Sequence, residues 1–164
     1  MSSKTSLTKI LTYVATFTLV IAPFNSATYG STPKATGRVP HIYGSVQFPQ
    51  NRWRLVRHSF KLVVPQESKA LSQLIITVPD GLTVTDDITV SDQSGQKIDT
   101  SVSVSGNKII IAFPNSIAPK TRLKVAMNNV KISGRTNSWL YKISTRLTGL
   151  NADIPIGIAR FRVY

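Results

Sequence analysis

Cysteine is absent from the 164 residues. The chain therefore has no disulfide framework, no thiolate metal site and no thiol on which a bacterial lipid anchor could be built. Histidine is nearly absent, with His41 and His58 the only two. Two histidines without cysteine do not make the usual zinc set, and a Ser-His-Asp site needs an acid orienting one of them. His41 has no acid near it in sequence, and His58, between Arg57 and Ser59 on the apolar side of a strand-like run, reads as an ordinary core or edge histidine. Acids are scarce as well, seven against twenty bases, and none pair on a recognised catalytic spacing. No catalytic residue, metal site or cofactor is expected.

Long apolar runs are also lacking, except at the start. Lys4 and Lys9 precede an apolar segment at 10–22, and Pro23 follows, with the small residue Ala27 shortly after. This pattern predicts a secretory signal over residues 1–27. The run is too short for a bilayer core of roughly 30 Å, which takes about 20 apolar residues, so the chain is expected to be exported and not to span a membrane once the signal is removed. Periplasm, thylakoid lumen and medium all fit. Cleavage leaves 137 residues, the size of one domain, enough to build a core by packing alone.

What is abundant is positive charge. Removing 1–27 takes away two bases and no acid, leaving a net +11. Five aspartates, Asp80, Asp86, Asp87, Asp92 and Asp99, share the stretch 80–99 with the single base Lys97, and the flanks on both sides are strongly basic. Such a field attracts polyanions over a Debye length of roughly 8 Å at physiological salt. For an exported chain the polyanions at hand are envelope polysaccharides and acidic envelope proteins, not nucleic acid. Solubility alone is the plainer account of the charge. The aspartates invite a calcium reading, since calcium takes six to eight oxygens. However, the glycine after Asp92 and Ser94 comes too early for a helix-loop-helix site, and aspartate favours turns for local hydrogen bonding.

Residues 28–51 are polar and broken by Pro33, Pro40, Pro49, Gly30, Gly37 and Gly44, which predicts a flexible arm. From residue 52 to 164 apolar and polar residues alternate, the period of half-buried strands. Val56, Phe60, Leu62 and Val64 alternate with Arg57, Ser59 and Lys61. Similar runs cover Leu74, Ile76 and Val78, then 88–90, 98–104, 109–113, 123–127, 139–147 and 156–164. Turn signals separate them, Ser105, Gly106 and Asn107 being the strongest hairpin signal. Only 66–72 could turn helically. The expectation is an all-β, antiparallel immunoglobulin-like sandwich of about seven strands. A transmembrane barrel is excluded, because its lipid-facing side would carry Arg57, Lys61, Arg122, Lys124, Lys142, Arg146, Arg160 and Arg162 at a cost of roughly 2–4 kcal/mol each near the midplane.

Those outward bases, Lys61 apart, are also candidate binding residues. Arg122 with Lys124, Lys142 with Arg146, and Arg160 with Arg162 each project from one strand face, and neighbouring strands would merge them into a ridge able to hold carboxylate, sulfate or phosphate. Arg52, Trp53, Arg54 and Arg57 add an aromatic plane beside guanidinium groups, a combination suited to sugars. Trp53 covering the sandwich edge is the alternative, and Trp139, sharing a face with Tyr141 and Ile143, reads as core.

Several segments resemble one family in order along the chain. They are Arg57, His58, Ser59 and Phe60 within 57–65, Asp86, Asp87 and Ile88 within 82–90, the stretch 105–114, and Leu150, Asn151, Ala152, Asp153, Ile154, Pro155, Ile156 and Gly157 leading into 158–164. Together they resemble the small exported cyanobacterial proteins grouped as a domain of unknown function. The resemblance implies an envelope, periplasmic or lumenal setting and carries over no activity, cofactor or site residue. Three functions follow from the sequence. The first is a non-enzymatic envelope module holding an anionic polysaccharide or acidic protein. The second is a chaperone-like or assembly sandwich using strand addition, donated by the arm or the last strand. The third, a hydrolase, would need His58 in a cleft.

Overall fold

The computed structural model describes residues 37–51 and 54–163, so the leader 1–27, the beginning of the arm at 28–36, Arg52, Trp53 and Tyr164 lie outside the described residues. The rest is all strand and turn. The strands are β1 (His41–Phe48), β2 (Leu55–Val64), β3 (Leu71–Thr77), β4 (Leu82–Thr83), β5 (Ile88–Asp92), β6 (Lys97–Ile98), β7 (Ser101–Ser105), β8 (Lys108–Ile117), β9 (Thr121–Ile132), β10 (Ser138–Leu147) and β11 (Ile154–Arg162). One sheet runs β1-β2-β9-β5-β6, with β4 also on β9, and the other runs β11-β10-β3-β8-β7. Every pairing is antiparallel. The two sheets form an immunoglobulin-like sandwich.

The alternation read from the sequence is what closes it. Phe60, Leu62, Leu123 and Val125 of the first sheet and Leu74, Ile76, Ile109, Ile111 and Ile143 of the second are at most 1 % exposed. Each such side chain contributes about 1.5–3 kcal/mol on burial. The order of β9 contains one deliberate break. Val56 pairs Val130 but His58 pairs Met127, so Asn128 and Asn129 both stand opposite Arg57 in a bulge that keeps Met127 and Val130 inward. Asn129 takes φ 53° there, a conformation Asn tolerates better than most residues. Asp87 fastens the bulge, accepting from Asn128 Nδ2 at 3.0 Å and Asn129 Nδ2 at 2.8 Å.

Three expectations are corrected. Residues 41–48, taken as part of a flexible arm, are strand β1. Its period is hidden because the register slips between Ile42 and Gly44, and because Tyr43, Val46 and Phe48 are exposed apolar residues at the sheet margin. The run 98–104 is two strands, β6 and β7, since the chain leaves one sheet and joins the other through Asp99 and Thr100. The segment 66–72 holds a turn closed by Ser68 N–H to Pro65 O at 3.1 Å, and β3 has already begun at Leu71. With these changes the described strands number eleven, four of them with five residues or fewer besides the longer β-ladders. The hairpin at Gly106 and Asn107 is as expected, Ser105 pairing Lys108 and Gly106 taking φ 58°.

A polar chain crosses the core. Gln47 Nε2 donates to the carbonyls of Pro49 at 3.1 Å and Asn51 at 2.9 Å, which turns Gln47 Oε1 toward His58 Nε2 at 2.9 Å. The amide oxygen only accepts, so Nε2 carries the imidazole proton and Nδ1 accepts from the Tyr141 hydroxyl at 2.7 Å. His58 also stacks on Phe161 with centroids 4.3 Å apart. One neutral imidazole thus ties β1 and β2 of one sheet to β10 and β11 of the other. Burial pushes the Tyr141 hydroxyl above its ordinary value.

Next to this chain, Trp139 pairs across the strands with Phe161 and is 2 % exposed, and glycines make room for its ring. A Cβ on Gly134 would stand 2.6 Å from Trp139 Cη2, and one on Gly81, at φ 84°, would stand 3.3 Å from the same atom.

Two measurements check this packing. Gly134→Ala displaces the indole and is expected to lower unfolding stability by about 1–3 kcal/mol in chemical denaturation, with altered Trp139 fluorescence. The second concerns pH. Burial lowers the His58 pKa from 6.5 to about 4, so the unfolded chain binds the proton near pH 6.5 while the folded one refuses it until about pH 4. Stability is therefore full above pH 6.5 and falls by roughly 3 kcal/mol between there and pH 4. Unfolding free energies measured across that window will show the slope, and His58→Gln will remove it. A flat profile in the parent protein contradicts the neutral bridge.

Candidate anion-binding face

Strand order decides which basic residues meet. Residues opposed in an antiparallel pair point to the same side, so one row crosses the outer face of the first sheet as Gly44, Lys61, Lys124, Ser91 and Lys97. Neighbouring strands are about 4.8 Å apart. Lys61 and Lys124 therefore stand side by side, and Arg122, two residues before Lys124, occupies the same face. No outward position of β1, β2, β9, β5 or β6 carries an acid. Like charges directly opposed destabilise a sheet pair, and the one carboxylate beside them is that of Asp92 at the end of β5.

Tyr43 makes this row concave. It sits in the register slip of β1, 51 % exposed, and beside it Gly44 has no side chain to cover Lys61. A hollow of about 480 Å³ is bounded by Tyr43, Lys61, Arg122, Lys124, Ser91, Gln93 and Asp92, and a smaller one of about 250 Å³ lies on the other flank of Tyr43, against Val46 and Ser59. Asp92 belongs to the rim. Its Oδ1 accepts from Ser94 Oγ at 2.6 Å, Ser94 N at 2.8 Å and Gln96 N at 3.0 Å, and these bonds, the Ser94 hydroxyl foremost, hold its pKa below the ordinary value. Asp92 and Asp87 are thus turn and bulge fasteners. Among the described residues no three His, Cys, Asp or Glu side chains gather as a metal site.

The other candidates fall elsewhere. Lys142, Arg146, Arg160 and Arg162 share the outer face of the second sheet, Leu140 opposing Arg160 and Lys142 opposing Ile158. That face mixes its charges with Leu140 and Ile158, 45 % and 55 % exposed. Arg146 is already spent on Asp153, Nη2 to Oδ1 at 2.6 Å, the one ion pair among the described residues. Arg57 shares the outer side of β2 with Lys61, but its guanidinium lies 5.5 Å from the Phe48 ring centroid. Arg54 stands at the end of the sandwich, and Arg52 and Trp53 lie outside the described residues. Of the hollow's members only Arg122 and Lys124 were candidates from the sequence; Tyr43, Lys61, Ser91, Asp92 and Gln93 were not. Lys61 was legible as outward-facing; Tyr43 was hidden in the presumed arm.

The chemistry of this face is electrostatic and adhesive. Both ring nitrogens of His58 are committed inside the core, so that histidine is not a general base. For strand exchange, β1 and β11 are each paired along one side within the sandwich and, like β6 and β7, stand at the margins of their sheets.

Solved structures share this architecture. The chain is similar to a 35 kDa C-terminal fragment of a Streptococcus agalactiae major pilin, with TM-score 0.52 and 8 % identity, over 75 % of this chain and 56 % of that one. It is also similar to the N-terminal domain of a Streptococcus gordonii adhesin, with TM-score 0.50 and 9 % identity, over 77 % of this chain and 32 % of that one. The chain therefore spans about a third of the adhesin domain, and at such identity the likeness is one of fold. No curated protein matches the sequence. A family model does, over residues 35–152, and the chain belongs to the family described as a protein of unknown function, DUF2808.

Proposed function

We propose that the protein is an exported, non-enzymatic module of the cell envelope that holds an anionic polymer, an acidic polysaccharide first of all, on the outer face of the sheet containing β2 and β9. The observation that carries this reading is the opposed pair Lys61 and Lys124, with Arg122 beside them, in a hollow walled by an exposed tyrosine whose single carboxylate, Asp92, is engaged at the rim by Ser94 and Gln96. An anion seated between the two ammonium groups relieves their repulsion and gains charge-assisted hydrogen bonds. The Tyr43 ring offers an apolar plane to the C–H face of a sugar, and Ser91 and Gln93 offer hydrogen bonds to its hydroxyls. Adhesin and pilin domains among the structural neighbours agree with a surface-exposed binding or structural role.

The test compares two triple variants with the same change in net charge. Lys61→Gln, Arg122→Gln and Lys124→Gln together are expected to weaken retention on immobilised polygalacturonate at least about tenfold. Lys142→Gln, Arg160→Gln and Arg162→Gln together are expected to weaken it far less. Retention of the parent protein will fall steeply as salt is raised. Equal losses in the two variants, or retention indifferent to salt, overturn the reading.

A further inference from the structure

A second groove, of about 380 Å³, opens where β2 and β10 begin and β9 and β11 end. It shares no lining residue with the hollow at Tyr43. Its two bases are Arg54 and Arg135, both exposed. Arg57 has Phe48 and Arg146 has Asp153, whereas Arg54 and Arg135 have no side-chain partner among the described residues. Trp139 lies buried in their wall with its indole N–H unpartnered, its ring filling the space that a Cβ at Gly134 or Gly81 would need.

The remaining polar groups have a definite sense. Ser133 Oγ gives its proton to Gly81 O at 3.1 Å; Thr136 Oγ1 gives its own to Ser138 O at 3.2 Å and accepts from Ser138 N at 3.3 Å, so each hydroxyl still has a lone pair for an incoming donor. Ile132 and Val163 supply an apolar strip. The groove thus presents ten guanidinium N–H donors, hydroxyl acceptors and an aliphatic surface, in a volume within the roughly 300–1,000 Å³ of small-molecule sites.

We propose that this groove binds one carboxylate-bearing sugar residue. The guanidinium groups of Arg54 and Arg135 take the carboxylate, where planar two-point hydrogen bonding favours arginine over lysine. Ser133 and Thr136 accept from ring hydroxyls, and Ile132 and Val163 meet the C–H edge of the ring. A bare carboxylate would leave the hydroxyls and the apolar strip unused, and a neutral sugar would leave both guanidinium groups without their anion.

Titration of the full chain with glucuronate, followed by the indole ¹⁵N–¹H resonance of Trp139, tests this, with Trp53→Phe assigning the signal. Glucuronate is expected to move the resonance saturably, and acetate, glucose and N-acetylglutamate to bind at least about tenfold more weakly. Arg135→Gln and Arg54→Gln, both at exposed positions, should each weaken glucuronate about tenfold or more, while Lys61→Gln with Lys124→Gln should leave it unchanged. The site is overturned if glucuronate gives no saturable shift, if acetate or N-acetylglutamate binds as tightly, or if the lysine substitutions abolish the response. Because the two sets of variants share no residue, this site and the face at Tyr43 can fail separately.

Discussion

With no cysteine anywhere in the chain, the sandwich depends on one constraint: every long strand must give a whole face to the interior. That leaves the opposite face to water, and in this chain the charged residues sent there are lysine and arginine. The seven acids are kept for turns, loops and strand ends, where Asp87 pins a bulge, Asp92 closes a turn and Asp153 meets Arg146. The same economy that stabilises the connections strips the sheet faces of counter-charge. A positive, unpaired surface is thus a consequence of how this fold allots its few carboxylates.

The core shows how such a structure joins its sheets without a covalent tie. His58 faces inward because its strand alternates, and an imidazole there demands partners for both nitrogens. Tyr141 and Gln47 supply them from opposite sheets. The result places β1, an edge strand whose one fully buried side chain is Gln47, under the control of a hydrogen-bonded chain that continues to the carbonyls of Pro49 and Asn51.

Most of the fold was legible because period-two alternation is a local property. Val56 to Val64 and Trp139 to Leu147 declare their inward residues without reference to any neighbour. β1 was not legible, since Tyr43 bulges out of register and Phe48 and Val46 are apolar yet exposed, so burial and hydropathy disagree there. The break between β6 and β7 was hidden because a strand that changes sheets keeps its alternation on either side. The binding face was half legible. Arg122 and Lys124 were recognisable as a pair, but their meeting with Lys61 depends on β9 lying beside β2, a pairing some sixty residues apart in sequence, and the separation of Lys142 and Arg160 to the other sheet depends on the same strand order. Outward direction is encoded residue by residue, whereas adjacency is encoded only by the whole packing.

The account turns on whether polyanions choose one face of a molecule that is basic on both. Chemical-shift mapping of the ¹⁵N-labelled protein with a short oligogalacturonate measures that choice directly. Of the two sheet faces, the one with Tyr43, Lys61, Arg122 and Lys124 is predicted to show the larger changes; changes of equal size at Lys108, Lys142 and Arg160 would contradict the account.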